Sequence, residues 1–95
     1  MRKIFKYTFK ITDTWEEQLP IGAEIKFVGI DLHVGDPAIW AIVDPAAPTE
    51  ARRFRIYGTG HAMTELFEEG GEKYIGTFQR GLYVWHLFEV ILEPI

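Results

Sequence analysis

The chain contains no cysteine and no serine. Without cysteine it forms no disulfide and no thiolate metal site, and the fold must stand on packing. Without either residue, two of the usual side-chain nucleophiles are gone. A Thr59/His61 pair with Asp36 or Asp44 would need a triad geometry that no motif in the sequence indicates. A third absence is a long apolar run. Lys6 and Lys10 interrupt the stretch after Met1-Arg2-Lys3, where a secretory signal would carry its apolar segment, and no run is long enough to span a membrane. The expectation is a cytoplasmic protein with no membrane partner. A fourth absence is positive charge. Ten basic against fourteen acidic residues give a net charge of −4, which argues against a duplex nucleic-acid partner.

What is present is a dense supply of aromatics. Three Trp, four Tyr and seven Phe occur in 95 residues, so a core that is small for reasons of chain length gains large buried area per side chain. The length and even composition predict one domain over residues 1–95.

Hydrophobic periodicity predicts strands almost throughout. Phe5, Tyr7, Phe9 and Ile11 alternate with Lys6, Thr8 and Lys10, the period-two pattern of a strand with one dry and one wet face. Trp15, Glu17 and Leu19 continue it until Pro20 and Gly22 intervene. Between Ala23 and Leu32 the apolar phase changes, from Ala23, Ile25 and Phe27 to Val28, Ile30 and Leu32, which predicts a β-bulge near Phe27 to Gly29. His33-Val34-Gly35-Asp36 is hairpin material. Ala38 to Val43 is apolar on both faces and predicts a central strand.

After the proline-bearing loop 44–51, Arg52 to Tyr57 alternates again. Phe54 and Ile56 point to the core, and Arg53, Arg55 and Tyr57 point away. Gly58 to Gly71 reads as irregular, with one helical turn over Met63 to Phe67. Lys73 to Arg80, with Tyr74 and Phe78 on one face, and Leu82 to Leu92 complete the set. The fold class is all-β: a single small antiparallel sandwich or barrel of about seven strands.

Several strings carry a resemblance. Leu-Pro-x-Gly-Ala (19–23), Trp-Ala-x-Val-Asp-Pro (40–45), Phe-Arg-Ile-Tyr-Gly-Thr-Gly-His (54–61), Tyr-Ile-Gly-Thr-Phe-Gln (74–79) and Val-Trp-His-x-Phe-Glu (84–89) resemble a family of small uncharacterised proteins of bacteriophages and prophages, a domain of unknown function. The likeness runs through nearly the whole chain and is weakest at 62–72. No activity or catalytic residue comes with it. What it implies is a small viral accessory protein acting on host machinery, in the host cytoplasm.

The residues that draw attention are Arg53, Arg55, Tyr57, Gly58, Thr59, Gly60 and His61. A glycine-spaced turn exposes backbone N–H groups, and the arginines can add charge-assisted bonds, so an anion held there would receive both. The bland alternatives are a turn that needs glycine for positive φ, and a basic edge strand that discourages aggregation. His33, His61 and His86 lack metal-ligand spacing, so no metal and no cofactor is expected, and His86 reads as a buried, hydrogen-bonded structural histidine. Trp15, set among acids, is a candidate exposed interface anchor. The acidic stretch 65–72 is a solvated loop or a mimic of a nucleic-acid backbone.

Taken together, the sequence points away from an enzyme and toward a phage-type accessory protein that binds and neutralises a host protein, such as a defence component. The alternatives are sequestration of an anionic small molecule such as a nucleotide signal, and a minor virion component. Two strands apolar on both faces, 38–43 and 82–92, further predict a homo-oligomer.

Overall fold

The computed structural model describes residues 1–63 and 71–91. Those residues form seven strands: β1 (Lys3–Thr8), β2 (Thr14–Pro20), β3 (Glu24–Asp31), β4 (Asp36–Val43), β5 (Thr49–Gly58), β6 (Glu72–Arg80) and β7 (Tyr83–Val90). All pairing is antiparallel, in two open sheets of order β1-β4-β3 and β2-β5-β7-β6. The sheets pack face to face as a sandwich and do not close into a barrel. Among the described residues no helix is long and apolar enough to cross a membrane. The expected helical turn at 63–67 and most of the acidic stretch fall on residues 64–70, outside the described part of the chain, as does Leu92.

The core lies between the sheets. Val28, Ile39, Ala41 and Val43 project from the first sheet. Leu19, Phe54, Ile56, Phe78 and Leu87 project from the second, and Phe9 enters from the β1–β2 connection. The alternation that predicted the strands therefore also sorted their faces.

Two turns follow from local chemistry. Asp31 closes the β3–β4 hairpin: its carboxylate accepts from the His33 N–H at 3.0 Å, and its carbonyl accepts from Gly35 at 2.7 Å. Gly35 sits at φ 77°, where a side chain would be strained. The β6–β7 hairpin turns on Gly81 and Leu82 alone. Gly81 has φ 62° and Leu82 stays at negative φ, the requirement of a type II′ turn.

The ladders place the connections at two ends. One end gathers residues 9–13, 32–35, 59–63 and 81–82, and is called here the hairpin end. The other gathers 21–23, 44–48, 71 and 91.

Three details differ from the sequence reading. The β3 bulge falls at Ile25–Phe27, slightly earlier than expected. A second bulge at Tyr74–Gly76 was not expected. It shifts the register of β6, so Tyr74 lies opposite Phe88 on the outer face while Phe78 lies opposite Trp85 on the inner one, and the two do not share a face. Finally, β5 is no edge strand. It lies between β2 and β7, so its arginines do not serve to protect an edge.

Candidate functional site

Arg53, Arg55 and Tyr57 lie on the outer face of the second sheet, opposite in phase to Phe54 and Ile56, as the alternation requires. Each already faces a carboxylate. Arg53 Nε donates to Glu16 Oε1 at 3.1 Å, across the β2–β5 pair. The Tyr57 hydroxyl donates to Glu72 Oε2 at 2.9 Å, and Arg55 Nε lies 3.8 Å from the same oxygen. Tyr57 is buried, with Phe88 edge-on to its ring at 5.6 Å.

The turn after β5 is also internally engaged. Thr59 N–H donates to the Val84 carbonyl and His61 N–H donates to the Gly58 carbonyl, both at 3.0 Å. Gly60 takes φ 87°, which accounts for its glycine. The expected cradle, in which the 58–61 amides and Arg55 converge on one anion, is therefore not assembled. Two of its amides serve the fold, and Arg55 points at Glu72.

The turn does build a hydrogen-bonded chain with β6 and β7. Thr59 Oγ1 lies 2.7 Å from His86 Nε2, and Thr77 Oγ1 lies 2.9 Å from His86 Nδ1. The Tyr74 hydroxyl bonds in turn to Thr77. Both ring nitrogens of His86 thus have a hydroxyl partner, and a neutral imidazole can donate to one and accept from the other. His86 is half-buried on the outer face and does not enter the core.

On the other side of the same turn is a recess of about 230 Å³, lined by Gly58, Thr59, His61, Leu82, Tyr83 and Trp85 among others. The His61 ring sits against Gly58. A β-carbon there would lie 2.7 Å from two of its ring atoms and 3.1 Å from Trp85, so a side chain at 58 would displace the exposed His61 ring from this position. His61 meets Trp85 edge-on at 6.0 Å, and Tyr83 lies 6.3 Å from Trp85 on a tilted plane.

At this end of the sandwich the β3–β4 and β6–β7 hairpins carry apolar side chains into water, and of these Leu82 and Tyr83 line the recess. Leu32 is 91% exposed, Val34 60%, Leu82 94% and Tyr83 69%. The Arg80–Asp36 ion pair, at 3.9 Å, sets the β3–β4 and β6–β7 hairpins beside each other. Sequence reading gave Leu32 and Leu82 to strand faces. The signal that would have found Leu82 is an apolar residue beside a turn glycine, at Gly81-Leu82, as at Val34-Gly35; Leu32 has no such neighbour.

At the opposite end a second recess, about 380 Å³, is lined by Glu50, Arg52, Arg53, Lys73 and Glu89 among others. There Arg52 donates from Nε and Nη2 to the two Glu89 oxygens at 2.6 and 2.8 Å, and from Nη1 to the Ala23 carbonyl at 2.6 Å. These groups satisfy each other and tie the two sheets together.

Trp15 is not an exposed anchor. It points inward and stacks between Phe9 at 4.3 Å and Phe54 at 4.6 Å, at the margin of the core. Among the described residues no group of three or more His, Asp or Glu is placed to hold a metal ion.

The chain belongs to the family of a domain of unknown function, DUF7352, which matches residues 1–94. No curated protein and no solved structure matches it.

Proposed function

We propose that this member of the DUF7352 family is a non-enzymatic binding protein that holds and blocks another protein, and that it does so with the hairpin end of the sandwich. The observation that carries the reading is the set Leu32, Val34, Leu82 and Tyr83, exposed on adjacent hairpins at one end of the sandwich, with Leu82 and Tyr83 lining the His61–Trp85 recess. Loops on a rigid β-scaffold are the usual carriers of recognition, and clustered exposed apolar side chains gain free energy when a partner covers them. The phage-like strings of the strands give the setting: the protein held is a host factor, such as a defence component, met in the host cytoplasm.

The Thr59–His86–Thr77 chain supports a structural role better than a catalytic one. A nucleophile of this kind needs preorganised donors for the developing oxyanion, and the nearby Thr59 and His61 amides are already spent on carbonyls. The same geometry weighs against the anionic-ligand reading.

The test is affinity capture from bacterial lysate with the native protein and with a Leu82→Glu/Tyr83→Ala variant. One protein retained by the native chain should be lost by the variant, with at least a tenfold fall in affinity, about 1.4 kcal/mol, and no change in melting. Nucleotide released from the denatured native protein, with no protein captured, would favour the small-ligand reading instead.

A further inference from the structure

The four edge strands of the sandwich are not alike. On one side lie β3 and β6, in contact through Val28 and Gly76, and each is bulged, at Ile25–Phe27 and at Tyr74–Gly76. On the other side lie β1 and β2, whose ladders run without interruption from Lys3 to Thr8 and from Thr14 to Pro20. Bulges spoil an edge for further pairing; these two edges have none. Among the described residues no strand pairs with their outer sides.

The groups on those outer sides can be identified. Phe9 N–H donates to the Pro37 carbonyl of the neighbouring ladder. By the alternation of antiparallel pairing, Lys3, Phe5 and Tyr7 also turn their backbone groups to β4, while Ile4, Lys6 and Thr8 turn theirs outward. The Asp13 carbonyl accepts from Ile56 N–H, so Trp15, Glu17 and Leu19 face β5, and Thr14, Glu16 and Gln18 face outward.

β1 ends and β2 begins at the hairpin end, so the two run in opposite directions, one in each sheet. They lie over each other: Phe9 stacks on Trp15, and the Tyr7 phenol is pushed above its ordinary pKa by burial and then by Glu17. Their charges are opposite. The stretch 2–10 carries Arg2, Lys3, Lys6 and Lys10 and no acid, whereas β2 carries Glu16 and Glu17 and no base.

We propose that this side is a homodimer interface, in which a second copy related by a two-fold axis parallel to the strands sets β1 of each chain against β2 of the other. Pairing like with like would put lysines against lysines or glutamates against glutamates. Rotation about an axis along the strands exchanges the two sheet levels and opposes the unlike strands, twice.

Because β1 and β2 run in opposite directions, the new ladders are antiparallel, like every other ladder in the fold. The Phe9–Trp15 stack sets their register. Lys6 falls opposite Gln18 of the second copy and Thr8 opposite Glu16, outward backbone groups meeting outward groups, with Lys6, paired to Asp31 in its own chain, diagonal to Glu16, paired to Arg53 in its own, so that unlike charges neighbour each other across the seam. The order β3-β4-β1 of one chain then continues into β2-β5-β7-β6 of the other, and exposed Ile4 and Phe5 gain cover. Both hairpin ends point the same way, leaving two binding ends on one side of the dimer.

Light scattering on the native protein at about 10 µM, where a standard-size interface holds, should give twice the 11.0 kDa chain mass. Thr8→Pro and Gln18→Pro each remove an outward N–H without touching the β4 or β5 ladder, and each should return the mass to that of one chain. Amide hydrogen exchange on the native protein is the readout that needs no variant. The Lys6, Thr8, Glu16 and Gln18 amides should slow at least about tenfold as concentration is raised through dimerisation. A single-chain mass throughout overturns the proposal. So does a double mass with those four amides unprotected, since that puts the interface elsewhere.

Discussion

A β-carbon built on Gly76 would lie 2.6 Å from Val28 Cγ1. The bulged stretch of β6 and the inner face of β3 therefore approach as closely as two backbones with one valine between them allow. Glycine here serves proximity, since its φ is not in the left-handed region. Gly76→Ala should destabilise by about 1–3 kcal/mol, the usual cost of forcing an extra carbon into a packed interior. Because the clash is with a side chain, Val28→Ala in the same protein should recover part of that loss. Chemical denaturation of the two single variants and the double variant checks both statements. Additive losses would mean that the clash is relieved some other way.

His86 holds three elements together, joining the turn after β5 to β6 through Thr59 and Thr77. His86→Ala removes one hydrogen-bond partner from each of the exposed Thr59 and Thr77 hydroxyls and should cost about 1–3 kcal/mol, the worth of two neutral hydrogen bonds. Thr77→Val should cost a comparable amount, about 1–2 kcal/mol, since it breaks the neutral bonds to His86 and to Tyr74 on an exposed side chain. Unchanged melting with lost partner binding in His86→Ala would assign the histidine to recognition.

Most of the fold could be read from the sequence because period-two alternation states which face of a strand is dry. It states nothing about which strands pair. Nothing local in Arg52 to Tyr57 reveals neighbours on both sides, and so its cations looked like an edge. Arg52 itself was legible in principle: it keeps the phase of Phe54 and Ile56, and Glu89 keeps the phase of Leu87. One cation and one acid, each out of character at the end of an inward-facing series, predict a buried pair. Trp15 was misread for the opposite reason. Its neighbours Glu16 and Gln18, one acidic and one a neutral amide, project outward, and only the chain reversal at 9–13 brings Phe9 onto its ring.

Asp31 makes stability depend on pH at the acid end. Its carboxyl is held below the ordinary range by the Lys6 ammonium first, then by the His33 N–H, against an opposing effect of burial. A folded-state pKa below the unfolded one contributes stability that is present above about pH 4, the unfolded value, and is lost as pH falls through the folded one. The melting temperature should fall as pH drops below about 4. Asp31→Asn keeps an acceptor for His33, lowers the neutral-pH melting temperature and flattens that acid limb. Identical acid limbs for native and variant proteins would rule Asp31 out as the cause.

The Arg52–Glu89 pair gives the sharpest energetic prediction, because both side chains are largely withdrawn from water, at 17% and 11% exposure. Removing one partner leaves an uncompensated buried charge. Glu89→Ala should therefore cost about 3–5 kcal/mol, well above the value of a surface ion pair. Removing both charges is a different experiment. Arg52→Met with Glu89→Leu restores apolar volume and abolishes both desolvation costs, and should return stability to within about 1 kcal/mol of native or above it. The remaining deficit is the Ala23 carbonyl, which loses the Nη1 donor that joins the second sheet to the first. The coupling between the two sites in a denaturation cycle should then exceed about 2 kcal/mol. A Glu89→Ala cost below about 1 kcal/mol would mean that water reaches the pair through the adjoining recess, and that the sheets are held together at this end by packing alone.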